Sequence, residues 1–331
     1  MVRIGRRSFI KGASGVAMVG AVSALDAPSF ADTSKPWPSK SVRIIVPLAA
    51  GGGLDYVARQ WVQVLSPTLG QQFFVENHTG AGGSVGMDLA MKSEPDGYTI
   101  LITNDNAAST PHILKLTYDY TKVLVPIIDL AHQPLVLAVH PSLGVNSVAE
   151  FVDYVKRNPG LGFASSGVGS NQHVLGLWFA REAGIRLEHV PYRGAGAAVG
   201  DFLGGHVRAA FLGPTALINQ HRAGAIKILA QSSAQRLQTL PDIPTLAESG
   251  YKSLILDTWY GAFAPPGTDA QLITTINAGF AKALDDNALR EGLIKSSMEA
   301  KGGPPEFLSQ LARADSVKYE RLIRELGIAA G

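Results

Sequence analysis

Val42-Arg43-Ile44-Ile45-Val46-Pro47-Leu48-Ala49-Ala50-Gly51-Gly52-Gly53-Leu54-Asp55 is the stretch that decides how this chain is built. Its first five residues form a β-branched apolar run, the pattern of a strand buried on both faces of a parallel sheet. Asp55 stands where a helix N-cap is expected, ahead of Tyr56 to Leu65. Val57, Ala58, Trp61, Val62 and Leu65 recur at three- and four-residue spacing and give that helix one apolar face. The glycines between strand and helix leave backbone N–H groups uncovered, and the positive end of the helix dipole adds to them. Taken alone, such a turn is either a bare connection or an anion site.

The same plan returns in Gly162-Phe163-Ala164-Ser165-Ser166-Gly167-Val168-Gly169-Ser170-Asn171-Gln172-His173, after which Val174, Leu175, Trp178 and Phe179 make another helical apolar face. The interval of about 115 residues is too long for a solenoid repeat and suits two domains of similar plan. Two such loops facing each other would clamp an anion from both sides. Bulk at Gly169 would then cover the amides, and Gly169→Asp is expected to block binding while leaving the fold intact.

Further apolar runs read as strands: Gln72 to Glu76, Tyr98 to Thr103 (ended by Asn104), Val136 to Val139, Arg186 to Val190, Val207 to Leu212 and Ile226 to Ala230. Helical stretches alternate with them, so the fold class is α/β, each domain a mostly parallel sheet flanked by helices. Leu254 to Pro265 reads as an extended return to the first half, followed by long amphipathic helical stretches over Asp269 to Ser297 and Pro305 to Leu326. Chain order therefore implies a first domain of residues 32–139 plus 253–331 and a second of 140–252. The crossings near Val139 and Leu256 would form the hinge.

Gly5-Arg6-Arg7-Ser8-Phe9-Ile10-Lys11 is a twin-arginine export signature, and Ser29-Phe30-Ala31 fits a small-x-small cleavage site. Residues 1–31 read as a signal peptide, placing the mature chain in the periplasm. Its removal deletes four basic residues and one acid from a chain of formal charge +2, leaving a net charge of about −1. That balance, with no basic stripe interleaved with aromatics, argues against a nucleic-acid partner. Hydrophobic content of 46% with 17% charged residues in 331 is that of an ordinary globular protein, and a monomer is expected. The chain has no cysteine, which excludes disulfides, thiolate metal sites and a lipoprotein anchor. No His/Asp/Glu cluster has metal-ligand spacing, so neither a metal nor a cofactor is expected.

Gly82-Gly83-Ser84-Val85-Gly86 matches the G-x-S-x-G pattern of a hydrolase nucleophile elbow. The elbow requires its serine on a sharp turn directly after a strand, and here a glycine-rich loop intervenes. In a chain with 36 glycines the pattern arises easily. A serine hydrolase therefore stands only as an alternative, and the chain is read as a non-enzyme.

In order along the chain, VPLAAGGGLD, VENHTGAGGSVG, PDGYTI, FASSGVGSNQH, HVPYRGAGAA, LPDIPTLAESG and WYGAFAPPGT resemble the motifs of Bug-type proteins, the extracytoplasmic solute receptors of tripartite tricarboxylate transporters. The resemblance covers essentially the whole mature chain. It implies a two-domain periplasmic-binding-protein (Venus-flytrap) fold closing on a small organic carboxylate, which is passed to the membrane subunits of the transporter. A signalling receptor with the same ligands would look alike. Carried over by motif, the ligand contacts are Leu48, Ala50, Gly51, Gly53 and Asp55 on one side, with Asn104 at the end of its strand. On the other side they are Ser165, Ser166, Gly169, Ser170, Asn171 and His173. His173 is alternatively a solvent-facing residue of its helix, and Arg193 is either a ligand contact or an interdomain ion-pair partner. Leu54 stands where such proteins usually have a polar residue, and Gly213-Pro214 replaces a common Asp-Asn. The resemblance therefore points to a pocket less polar than usual and to a more apolar or aromatic carboxylate.

Overall fold

The structure, a computed structural model, describes residues 37–328. The export signature and its cleavage site lie outside the described residues. Two mixed sheets flanked by helices make an α/β fold. The first sheet holds β1 (Val42–Val46), β2 (Phe73–Asn77), β3 (Thr99–Asn104), β4 (Val125–Pro134), β10 (Asp257–Ala264) and β11 (Glu299–Ala300), in the order β11-β4-β10-β3-β1-β2. The second holds β5 (Val136–Val139), β6 (Leu161–Ser165), β7 (Leu187–Pro191), β8 (Ala209–Leu212) and β9 (Lys227–Gln231), in the order β7-β6-β8-β5-β9.

The sheets are mixed where the alternation of strands and helices implied mostly parallel ones. β1 is parallel to β2 and β3, but β10 enters antiparallel between β3 and β4. In the second sheet β5 is antiparallel to β8 and β9. The reason is the double crossing: β5 and β10 are the first strands laid down after the chain changes sheets, and each inserts without a crossover helix to reverse it. Val136 to Val139 therefore pairs in the second sheet and not in the first. The outward crossing falls at Leu135, between Pro134 and Val136.

The first lobe's helices are α1 (Gly53–Leu69), α2 (Ser84–Met91), α3 (Asn106–Leu114), α4 (Tyr120–Val123), α9 (Ala270–Ala283), α10 (Asn287–Lys295) and α11 (Pro305–Leu326). The second lobe's are α5 (Val148–Arg157), α6 (Asn171–Glu182), α7 (Ala195–Leu203) and α8 (Ile218–Arg222). Asp269 to Ser297 is thus two helices, because Asp286 caps the start of α10 through bonds from the Ala288 and Leu289 amides. The apolar stripe of α1 buries Leu54, Val57, Ala58, Trp61 and Leu65, with the Trp61 and Phe280 rings 5.5 Å apart. Each large side chain so buried contributes roughly 1.5–3 kcal/mol. α11 packs on α3, β4 and α6, so its buried Leu308, Tyr319 and Leu322 belong to a core shared by both lobes.

Candidate ligand-binding site

Asp55 does not cap α1. Gly52 holds the N-cap position without a side-chain bond, and Asp55 lies one turn in, buried. Its carboxylate reaches back to accept from the Gly51 amide at 3.1 Å, from Arg59 Nε at 3.0 Å and from Asn77 Nδ2 at 3.0 Å. Asn77 Nδ2 also donates to the Leu48 carbonyl at 2.9 Å. Burial opposes ionisation of Asp55, but the bonds from Arg59, Gly51 and Asn77 outweigh it and hold its carboxyl below the usual range. This acid therefore latches the glycine loop in place. It consumes the Gly51 N–H and leaves the first amides of α1 without intrahelical acceptors.

Gly53 and Leu54, which carry two of those amides, line a small chamber of about 40 Å³ together with residues of the second lobe. Gly52, Gly53, Leu54, Asn104 and Tyr260 come from the first lobe. Gly194, Ala195, Gly213 and Thr215 come from the second, with Gln133 and Thr258 on the crossing strands. Gly194 is the N-cap of α7, again with no side-chain cap, so two uncapped helix starts converge there. Gly194 takes φ +143°, and a Cβ on it would lie 3.5 Å from Ala49 Cβ across the lobes. Gly53 is required for space: a Cβ there would fall 2.7 Å from Tyr260 Oη. Beside the chamber lies a larger compartment of about 600 Å³, whose apolar wall includes Ile113, Leu114, Val168 and Tyr192. Among the described residues lining the two compartments, Arg193 alone carries a formal charge. The ion pairs of the described residues do not include it.

The second glycine loop is built differently from the first. The Ser166 amide donates to Gln172 Oε1 at 2.8 Å, Gly167 to Ser165 Oγ at 3.1 Å and Gly169 to His173 Nδ1 at 3.1 Å. Ser170 Oγ caps α6 by accepting from the His173 amide. These amides are spent inside the loop, and the helix start that this lobe offers the chamber is that of α7. His173 is buried, stacked on His189 at 3.6 Å between ring centroids. Burial lowers His173 to about 4; burial and the neighbouring ring lower His189 to about 3. Asn171 Nδ2 donates to Thr258 Oγ1 and, at 3.2 Å, to the buried Asp105, whose carboxyl burial raises to about 7. Gly169 is buried at φ +78°, and a Cβ on it would sit 2.1 Å from Ile113. Gly169→Asp would therefore damage the packing of this loop on α3, contrary to the expectation of an intact fold.

Of the residues singled out in the sequence, Leu48 and Ser166 line both compartments, Gly53 and Asn104 the chamber, and Ser170 and Arg193 the larger space. Ala50, Gly51, Asp55, Ser165, Gly169, Asn171 and His173 line neither. Gln133, Thr215, Tyr260 and the Gly194-Ala195 start of α7 are additional lining residues. The last two fall within the stretches WYGAFAPPGT and HVPYRGAGAA, whereas Gln133 had no local signal. Ser84 is the buried first residue of α2, behind a 3₁₀ turn at Ala81–Gly83, so it lacks the strand-turn-helix setting of an elbow. Among the described residues there is no group of three or more potential metal ligands, and no helix is long and apolar enough to cross a membrane.

Two α/β lobes meeting at a chamber of converging helix starts define a solute-binding receptor. The profile of the family described as "Tripartite tricarboxylate transporter family receptor" matches residues 57–328, and the chain belongs to that family. It is similar to Protein BugT of Bordetella pertussis, at 32% identity over 311 residues, 93% of this chain and 94% of that protein. Its fold superposes on an R. palustris protein solved with adipate at a TM-score of 0.84 and 30% identity, covering 88% of this chain and 99% of the other. MatC from Rhodopseudomonas palustris with bound malate superposes at 0.82 and 28% identity, covering 87% and 100%. The family is one of receptors, and the chain is a binding protein, not an enzyme.

Proposed function

We propose that this protein captures a small organic carboxylate between its two lobes and delivers it to the membrane subunits of a tripartite tricarboxylate-type transporter. The convergence of the α1 and α7 starts on one chamber carries the reading, because uncapped helix N-termini donate several N–H groups to an anion and add the helix dipoles. The carboxylates in the adipate and malate complexes of relatives support the ligand class. One carboxylate oxygen pair sits at Gly52–Leu54 and Gly194–Ala195, with Asn104, Ser166 and Thr258 around it. The rest of the ligand extends past Leu48 and Ser170 toward Arg193 and the apolar wall. A monoanionic acid with an apolar body, or a dicarboxylate whose far end meets Arg193, fits that lining. Lobes 32–139 plus 253–331 and 140–252, adjusted so that β5 joins the second, are the bodies that move. The twin-arginine signature supports export to the periplasm, where the chain acts as a monomer.

A thermal-shift screen of mono-, di- and tricarboxylates against the mature protein tests this. An acid at about 100 times its Kd should add roughly 2.7 kcal/mol to stability. If no organic acid raises the melting temperature while another solute class does, the carboxylate reading fails.

A further inference from the structure

The corner joining α10 to β11 is built in a way that neither the chamber nor the core explains. α10 ends in a Schellman motif: the Ser297 amide donates to the Ile294 carbonyl at 2.8 Å and the Met298 amide to the Leu293 carbonyl at 2.9 Å. The left-handed residue of this motif is usually glycine, and the chain uses glycine in that way after α1 and α11, at Gly70 (φ +69°) and Gly327 (φ +66°). At α10 the residue is Ser297, at φ +60°. Ala81 and Lys115 also take positive φ, but both are exposed, whereas Ser297 is 2% exposed. A buried side chain held in a strained conformation is retained for what its atoms do. Here Ser297 Oγ accepts from Thr239 Oγ1 of the second lobe at 2.8 Å. One residue earlier, the Ser296 carbonyl accepts from Thr215 Oγ1, also of the second lobe, at 2.8 Å.

Both threonines are fixed to the second lobe and the corner to the first. Leu240 and Leu217 lie in the core with Phe202 and Leu212, while Leu293 and Met298 lie in the core with Trp61 and Phe280. We propose that Ser296–Ser297 is a closure latch that Thr215 and Thr239 engage only when the lobes are together. The inference rests on the reading that the lobes close around a ligand. Gln133 ties the latch to the chamber. Its amide lies 2.8 Å from Thr215 Oγ1 and 2.5 Å from Tyr260 Oη, and a Cβ on Gly213 would fall 2.5 Å from its Nε2. Thr239 and Ser297 line a groove beside the crossing strands, with Pro134 and Asp257, and do not line the chamber, so they set the ease of closure without touching the ligand.

The test exploits the absence of native cysteine. Spin labels on Glu94→Cys and Arg157→Cys, exposed positions on opposite lobes, report the distance between lobes in the unliganded protein. Ser297→Gly relieves the strained φ and removes the CH2OH side chain, and because glycine already fills the same helix-end position at Gly70 and Gly327 the fold is retained. Thr239→Val removes the same bond from the other side. Each variant should lower the ratio of short to long distances by about 2- to 12-fold, the effect of one net hydrogen bond. Lys115→Gly, which relieves a positive φ elsewhere, should leave the ratio unchanged. If both latch variants keep the native distribution, the latch is wrong, whatever ligands do. The capture reading is judged separately, by adding adipate, malate and benzoate to the native labelled protein. If none shifts its distances, capture of these three acids between the lobes fails, while opening by Ser297→Gly and Thr239→Val would still establish the latch.

Discussion

Acidification should weaken the fold through the stacked His173–His189 pair, with the loss of stability beginning above the carboxylate range. The rings lie 9° from parallel at 3.6 Å, His189 Nε2 is 2.6 Å from Ser165 Oγ, and the Gly169 amide donates to His173 Nδ1. Nδ1 of His173 therefore carries no proton, and adding one breaks the bond that orders the loop. Both folded values, about 4 and about 3, lie below the ordinary 6.5. As pH falls, the unfolded chain takes up these protons first. The pair's contribution is complete above about pH 6.5 and declines between there and the folded values. At pH 4.5 each ring costs the fold roughly 2–3 kcal/mol. Other groups titrate in the same window, so the measurement is a difference between native and His189→Phe in urea unfolding at pH 7.5 and 4.5. Phenylalanine keeps the stack but loses the bond to Ser165, so the variant should be about 1 kcal/mol less stable at pH 7.5. That deficit should shrink by roughly 2–3 kcal/mol at pH 4.5 and change sign. Stability curves that stay parallel between the two pH values would refute the buried neutral pair.

Gly53→Ala should reduce binding of any ligand acid by about tenfold or more, because its methyl meets Tyr260 Oη and Gln133 Nε2 at the chamber, while stability falls by only about 1–3 kcal/mol; titration calorimetry and thermal unfolding check the two parts. Asp55→Asn should cost about 1–3 kcal/mol by removing the charged acceptor from Gly51, Arg59 and Asn77. Because the folded value of Asp55 is depressed, that difference should be present at neutral pH and vanish as pH falls below the carboxylate range. Arg193→Gln should weaken binding of a dicarboxylate about tenfold and flatten its dependence on salt, measured by calorimetry at low and high ionic strength.

Backbone-determined features were legible in the sequence. β1, the glycine turn, the start of α5 at Ser147 and the whole of α11 follow from periodicity and capping. β4 was not legible. Asp129 and His132 interrupt its apolar run, and their 2.7 Å pairing and the register on β10, itself legible as an extended segment, come from folding. α3 was hidden because Asn106, Ser109, Thr110 and an internal Pro111 are poor helix formers, and burial against α11 overrides their preference. Within the site, glycine-rich loops announced available amides but not which ones side chains would consume. Asp55 takes one in the first loop, and Gln172 and His173 take two in the second, so the converging helix start shifted from α6 to α7. Gln133 entered the site through topology alone, since the register of β4 on β10 sets it opposite Thr258.

The most direct measurement is a crystal structure of the mature protein grown with the acid that gives the largest thermal shift. A carboxylate with its oxygens within hydrogen-bond distance of both the Gly52–Leu54 and the Gly194–Ala195 amides is the expected result. An acid held by one lobe alone, or seated on the Ser165–His173 loop with the chamber empty, would contradict the account.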